Sequence, residues 1–112
     1  MRTFQDYVFE ARRKQEIYSN EKLAKAIGIA GPSLSVMFNN KTLPAEETIL
    51  KLAELAGIPP EEALIDLQIW KAKSPEAKSV WEKLRNMVIS LTLMFAVLAV
   101  PWHSPATDGG RR

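Results

Sequence analysis

The sequence predicts an all-α protein: a small helical domain followed by one long C-terminal helix. Three observations lead there. Apolar residues recur at i, i+3, i+4 and i+7, as in Phe4, Tyr7, Val8 and Ala11, which is the period of an amphipathic helix. No stretch of useful length alternates as a strand would. The periodic stretches are punctuated by residues that start or stop helices, among them Thr3, Ser19, Gly28, Gly57 and Ser74. At 112 residues the chain has room for one small domain and an appendage.

Each element follows from its own residues. Thr3 caps a first helix of about a dozen residues, with Asp6 at its third position, where a carboxylate meets the amide-rich end. Ser19 caps a second, with Leu23, Ala24 and Ile27 on its inner face and Gly28 as its left-handed stop. Gly31 is the expected cap of a third helix and Pro32 its first residue, since proline there loses only an amide that would be unpaired. Leu34, Met37 and Phe38 form its inner side, leaving Ser33, Val36 and Asn40 to solvent, and the helix closes by about Asn39. A fourth is expected from Pro44 to Ala56, with Ile49, Leu52, Ala53 and Ala56 inward and Gly57 as its stop. A fifth starts at Pro60, with glutamates early and lysines late. Ser74 caps a sixth that begins at Pro75 and meets no further proline until Pro101.

Composition removes several function classes. Without cysteine, disulfides, thiolate metal sites and cysteine nucleophiles are excluded. His103 is the only histidine, beside Pro101 and Trp102 and with no clustered carboxylates, so it reads as a tail residue and not a ligand. No catalytic constellation, metal site or cofactor site is visible, and neither an enzyme nor a small-molecule substrate is expected. The net charge of +2 hides a pattern. Residues 1–45 carry seven Lys/Arg against four Asp/Glu, residues 46–70 one against six, and residues 71–86 five against two. A basic front, an acidic middle and a basic stretch before an uncharged run fit two electrostatic jobs, or simply solvated helix faces.

The central stretch "KAIGIAGPSLSVMFNNK" places two short helices about a four-residue turn. Ala24 is the small residue inside the first, Gly28 makes the turn, and Ile29 is the apolar plug after it, as a helix-turn-helix requires. With "LAKAIGI", "SLSVMFN" and the following "EETILKLAELAGI", the segment from Thr3 to Leu67 resembles the lambda-repressor-like family of regulators. The later "SPEAKSVWEKL" is similar to a group of small phage-associated proteins that follow such a domain with a Ser-Pro-Glu-Ala helix and a hydrophobic tail. The family resemblance implies a five-helix domain and double-stranded DNA as partner. It implies phosphate contact at Ser19 and Asn20, major-groove contact at Gly31, Pro32, Ser33 and Val36, a backbone contact at Asn39, and loop contacts at Lys41 and Thr42. None of the four groove positions holds the Arg, Lys, Asn or Gln that pairs bidentately with a base. Weak base readout is therefore expected, through shape, apolar contact and phosphate geometry.

Met87 to Trp102 is sixteen residues without a charge, about 24 Å as a helix against a hydrocarbon core of about 30 Å. Lys83 and Arg85 at one end and Trp102 at the other would extend that reach. The apolar residues go all the way round instead of forming a stripe, which favours a bilayer over a buried or dimer helix. The expected organisation is thus a helix-turn-helix domain over 1–73, a basic juxtamembrane helix over 74–86, a single transmembrane segment over 87–102 and a disordered tail over 103–112. The five lysines and arginines of 71–86 place the N-terminal domain on the cytoplasmic side of a bacterial inner membrane. A homodimer is compatible with this plan. Two function classes fit it: a phage-derived, membrane-anchored DNA-binding protein acting as transcription regulator or DNA tether, and a membrane-anchored module that binds protein through the same fold.

Overall fold

The computed structural model describes residues 2–108, with side chains described as far as Met94. The described residues form six helices and no strand: α1 (Phe4–Gln15), α2 (Asn20–Ile27), α3 (Gly31–Phe38), α4 (Glu46–Ala56), α5 (Pro60–Lys71) and α6 (Pro75–Asp108). α1 packs against α4, α4 against α5 and α5 against α6, while α2 and α3 pack on each other, α3 also touching α1 and α2 touching α4.

The local rules account for the helix ends. Thr3 and Asp6 close a reciprocal capping box: Thr3 Oγ1 accepts from the Asp6 amide at 3.2 Å and Asp6 Oδ2 accepts from the Thr3 amide at 2.8 Å. Ser19 and Ser74 cap α2 and α6 in the simpler way, each accepting from an amide three residues on, at 3.1 Å. α2 and α4 stop at Gly28 and Gly57, with φ of 80° and 73°, where glycine alone adopts the left-handed backbone without steric cost. α1 and α3 use the same stop without glycine, at Glu16 (φ 55°) and Asn40 (φ 62°).

Two helix starts differ from expectation. The cap of α3 is Ala30, which offers no side-chain bond, and Gly31 is already helical with Pro32 one position further in. Proline tolerates either of the first positions, because neither amide has an intrahelical acceptor, so the "GP" pair does not fix the register to one residue. α4 starts at Glu46 after Ala45, and the expected first residue, Pro44, is instead buried in the preceding loop.

The core joins Tyr7, Val8, Leu23, Ile27, Leu34, Ile49, Leu52 and Leu67. At its edge the Trp70 ring stands edge-on to Phe4 and Tyr7, at centroid distances of 6.3 and 5.7 Å. Its indole N–H donates to the Arg2 carbonyl at 3.0 Å, which ties the end of α5 to the start of α1. Asp66 is wholly buried beneath this ring system, accepting from the Tyr7 hydroxyl at 2.5 Å and from Arg85 Nε at 2.6 Å. The phenol is pushed well above its ordinary range, first by burial and then by its bond to the carboxylate.

That last contact changes the reading of the C-terminal half. The helix expected as a separate juxtamembrane piece over 74–86 is docked on α5, and Arg85, expected to reach toward lipid headgroups, is turned inward to Asp66. The transmembrane segment expected over 87–102 is not supported: among the described residues no helix is long and apolar enough to cross a membrane. The described part of that run, Met87–Met94, rises about 12 Å against a hydrocarbon core of about 30 Å. It also includes Ser90 and Thr92, the latter bonding its hydroxyl back to the Val88 carbonyl at 3.0 Å. Side chains 95–102 lie outside the described residues. α6 continues through Pro101 to Asp108, over part of the segment expected as a disordered tail, while 109–112 lie outside the described residues.

Candidate nucleic-acid interface

α2 and α3 set one face of the domain. Leu23, Ala24 and Ile27 of α2 and Leu34 of α3 are buried, each at 2% exposure or less. The opposite sides of both helices are thereby fixed toward solvent. Ala24 lets the helices approach, and Ile29 packs half-buried between them, its amide bonded to the Ala24 carbonyl at 2.9 Å. Gly28 makes the turn as the sequence suggested, but the turn spans three residues, 28–30, and not four, because Gly31 is already helical.

Ser19 sits half-buried at the cap of α2, its hydroxyl engaged by the Lys22 amide. Asn20 is the first residue of α2, and its side-chain Oδ1 accepts from the Arg12 guanidinium at 3.2 Å. The remaining polar group of Asn20 is its NH2, a donor suited to a phosphate oxygen. Arg12 also donates to the Ile17 carbonyl at 3.1 Å, so one side chain fastens the α1–α2 turn and orients Asn20. Sequence reasoning did not single out Arg12, and nothing in "ARRKQ" distinguishes it from its basic neighbours.

On α3, Pro32, Ser33 and Val36 are exposed and Gly31 is half-buried at the helix start. Pro32 and Val36, four residues apart, lie on the side away from buried Leu34 with Ser33 flanking them, while Gly31, three residues before Leu34, sits nearer the inner side. Asn39 is the C-cap, exposed, with its amide bonded to the Ser35 carbonyl at 3.0 Å. The chain then closes a Schellman motif, Asn40 donating to Met37 O and Lys41 to Val36 O, each at 3.0 Å. Gln5 of α1 clamps this end by donating to the Phe38 carbonyl and to Asn40 Oδ1, the latter at 3.1 Å. The clamp holds Lys41 and Thr42, both exposed, beside the end of α3.

The nine residues therefore fall into two groups. Gly31, Pro32 and Ser33, with Ser19 and Asn20, lie at the amino ends of α3 and α2, and Val36 follows one turn after Pro32. Asn39, Lys41 and Thr42 form a second group at the far end of α3. A groove of about 490 Å³ opens at the first group, lined by Glu21, Lys22, Lys25, Ile29 and Gly31. Lys22 and Lys25 bring positive charge to this face, and α3 itself carries none of either sign. Among the described residues no group of acidic or imidazole side chains has the makings of a metal site.

Against known proteins, residues 9–62 match the helix-turn-helix family model. The matched stretch runs from the middle of α1 to the first turn of α5, so it contains the α2–α3 pair and the helix beneath it. No curated protein and no solved structure matches the chain.

Proposed function

We propose that the α2–α3 face binds double-stranded DNA in the manner of a transcription regulator, with phosphate contacts dominating over base readout. The observation that carries this reading is the exposed side of α3, Pro32, Ser33 and Val36, held out by buried Leu34 and flanked by the amide-rich start of α2. The match of this segment to the helix-turn-helix family supports it. In such a pose α3 enters the major groove. The amides of the first turn of α2, with the Asn20 NH2, meet one phosphate strand, and Lys41 and Thr42 meet the other.

Weak base readout follows from what α3 presents. Ser33 is the only one of its four groove residues with a side-chain hydrogen-bonding group, and Val36 offers a methyl surface to thymine. Affinity then comes mainly from phosphate contacts and falls steeply with salt.

The test is a gel-shift titration of the full chain at two salt concentrations, with Ser33→Glu and Asn39→Asp alongside. Both positions are exposed, so each variant adds negative charge near phosphate without touching the core. Weaker binding by both, with unchanged circular dichroism, is the expected outcome. Acidic variants that bind as well as the parent would remove α3 from the DNA. Absence of binding by the parent at low salt would move the face to the protein-partner class.

A further inference from the structure

Gly31 opens a gap at the start of α3, and a residue of the neighbouring helix leans over it. A Cβ at Gly31 would find one atom within 4 Å, Glu21 Cγ at 3.9 Å. Glu21 is exposed in the first turn of α2 and takes part in none of the ion pairs among the described residues. With Lys22, Lys25, Ile29 and Gly31 it lines the groove at the amino ends of the two helices. The start of α3 beside it has no side-chain cap, and the positive end of that helix favours a carboxylate.

We propose that Glu21 is the base-reading side chain of this face, replacing the side chain that Gly31 lacks and accepting a hydrogen bond from a cytosine N4 amino group. This rests on the DNA reading above. An ionised carboxylate only accepts, so it is repelled by guanine O6, thymine O4 and the N7 of either purine, which leaves cytosine as the base whose major-groove edge offers a donor with no acceptor beside it. A carboxylate facing DNA with nothing to accept from would only oppose binding. Lys22 and Lys25 on the same groove offset that repulsion by holding the flanking phosphates. Glu21 thus confers selectivity more than affinity, which fits a helix pair with no bidentate donor on α3. A Cβ at position 31 would meet Glu21 only at ordinary contact distance, so it is a long side chain there, and not alanine, that would compete with Glu21 for the groove.

The experiment is selection of bound duplexes from a randomised library by the full chain, by Glu21→Ala and by Glu21→Gln, followed by gel-shift titration of the selected sites. The parent enriches cytosine at one position of its site. Glu21→Ala loses that preference by about 5- to 10-fold, a single hydrogen bond lying at the low end of the range for base contacts, and keeps the preferences elsewhere. Glu21→Gln moves the same position toward adenine, the base that an amide pairs with bidentately. If Glu21→Ala selects the same site as the parent, or merely binds every sequence more tightly, the carboxylate reads nothing and the assignment is overturned while DNA binding stands. If all three chains are folded by circular dichroism and none binds duplex at low salt, the assignment and the DNA reading fall together.

Discussion

At the scale of single residues, Asp66 carries the most consequence. It is wholly buried and held by one neutral and one charged donor. Removing the charged donor leaves a carboxylate away from water with a single hydroxyl. Arg85→Met is therefore expected to cost about 3–5 kcal/mol, as when one partner of a buried pair is lost. Much of that loss should be recovered in the double variant with Asp66→Asn, and urea titrations of the three chains check both statements. Tyr7→Phe removes the other donor and should cost about 1.5–3 kcal/mol at neutral pH. Its pH dependence has a defined sign. The folded phenol has its pKa raised by burial and by Asp66, so its contribution is complete below the ordinary phenol value of about 10 and is lost as pH rises above it. The gap between parent and Tyr7→Phe should narrow above about pH 10; a gap constant through the alkaline range would mean that the phenol is not protected. Asp66 stands at the inward spacing of Ala63 and Leu67, an acid among apolar positions that sequence reasoning did not single out. Arg85 was not legible either, because a basic residue on a basic helix has no mark that it faces inward until the packing of α6 is known.

At the scale of elements, the sequence was most informative where one residue type suits one backbone geometry. Thr3, Ser19, Gly28, Gly57 and Ser74 each stand where the cap rules place them. The start of α3 came out one residue off because alanine at the cap leaves no chemical mark. The non-glycine stops at Glu16 and Asn40 were invisible for the same reason. A left-handed residue with a side chain is strained by about 1–2 kcal/mol, partly returned as backbone entropy when glycine replaces it. Glu16 is exposed and takes part in no ion pair among the described residues. Glu16→Gly should accordingly stabilise the fold by about 0.5–1 kcal/mol. The reverse change at Gly28 isolates the backbone cost: a Cβ there meets only Lys51 Nζ at 3.6 Å, an ordinary contact, so Gly28→Ala should lose about 1 kcal/mol from conformation alone. Thermal midpoints moving in opposite directions in these two variants would confirm that left-handed stops, and not side-chain contacts, govern both helix ends. The candidate site was legible as a face but not in its details. Spacing located α2 and α3, whereas the positions of Arg12, Gln5 and Glu21 depend on how long side chains cross between helices, which no local pattern encodes.

At the scale of the whole molecule, the domain does not end where its fifth helix ends. α6 supplies Arg85 to the interior, so a chain cut after Lys83 should lose about 3–5 kcal/mol relative to one cut after Met94, with chemical denaturation of the two as the measure. Equal stabilities would make the Arg85 contact a surface ornament. Beyond Arg85, α6 leaves Met87, Leu91, Leu93 and Met94 more than half exposed, which is where the single-helix hydropathy argument and the packing of α6 on α5 part company. The position of Arg85 also bears on how the protein is made. Asp66 and its guanidinium partner are 19 residues apart, and a ribosome adds about 5–20 residues per second. For roughly one to four seconds of synthesis the carboxylate has been made and its partner has not. During that interval α1 to α5 can assemble around Tyr7 only with a buried charge half-satisfied, so the nascent chain has reason to stay loose until Arg85 emerges and α6 closes over α5. Completion of the fold is thereby timed to translation well past the α2–α3 pair.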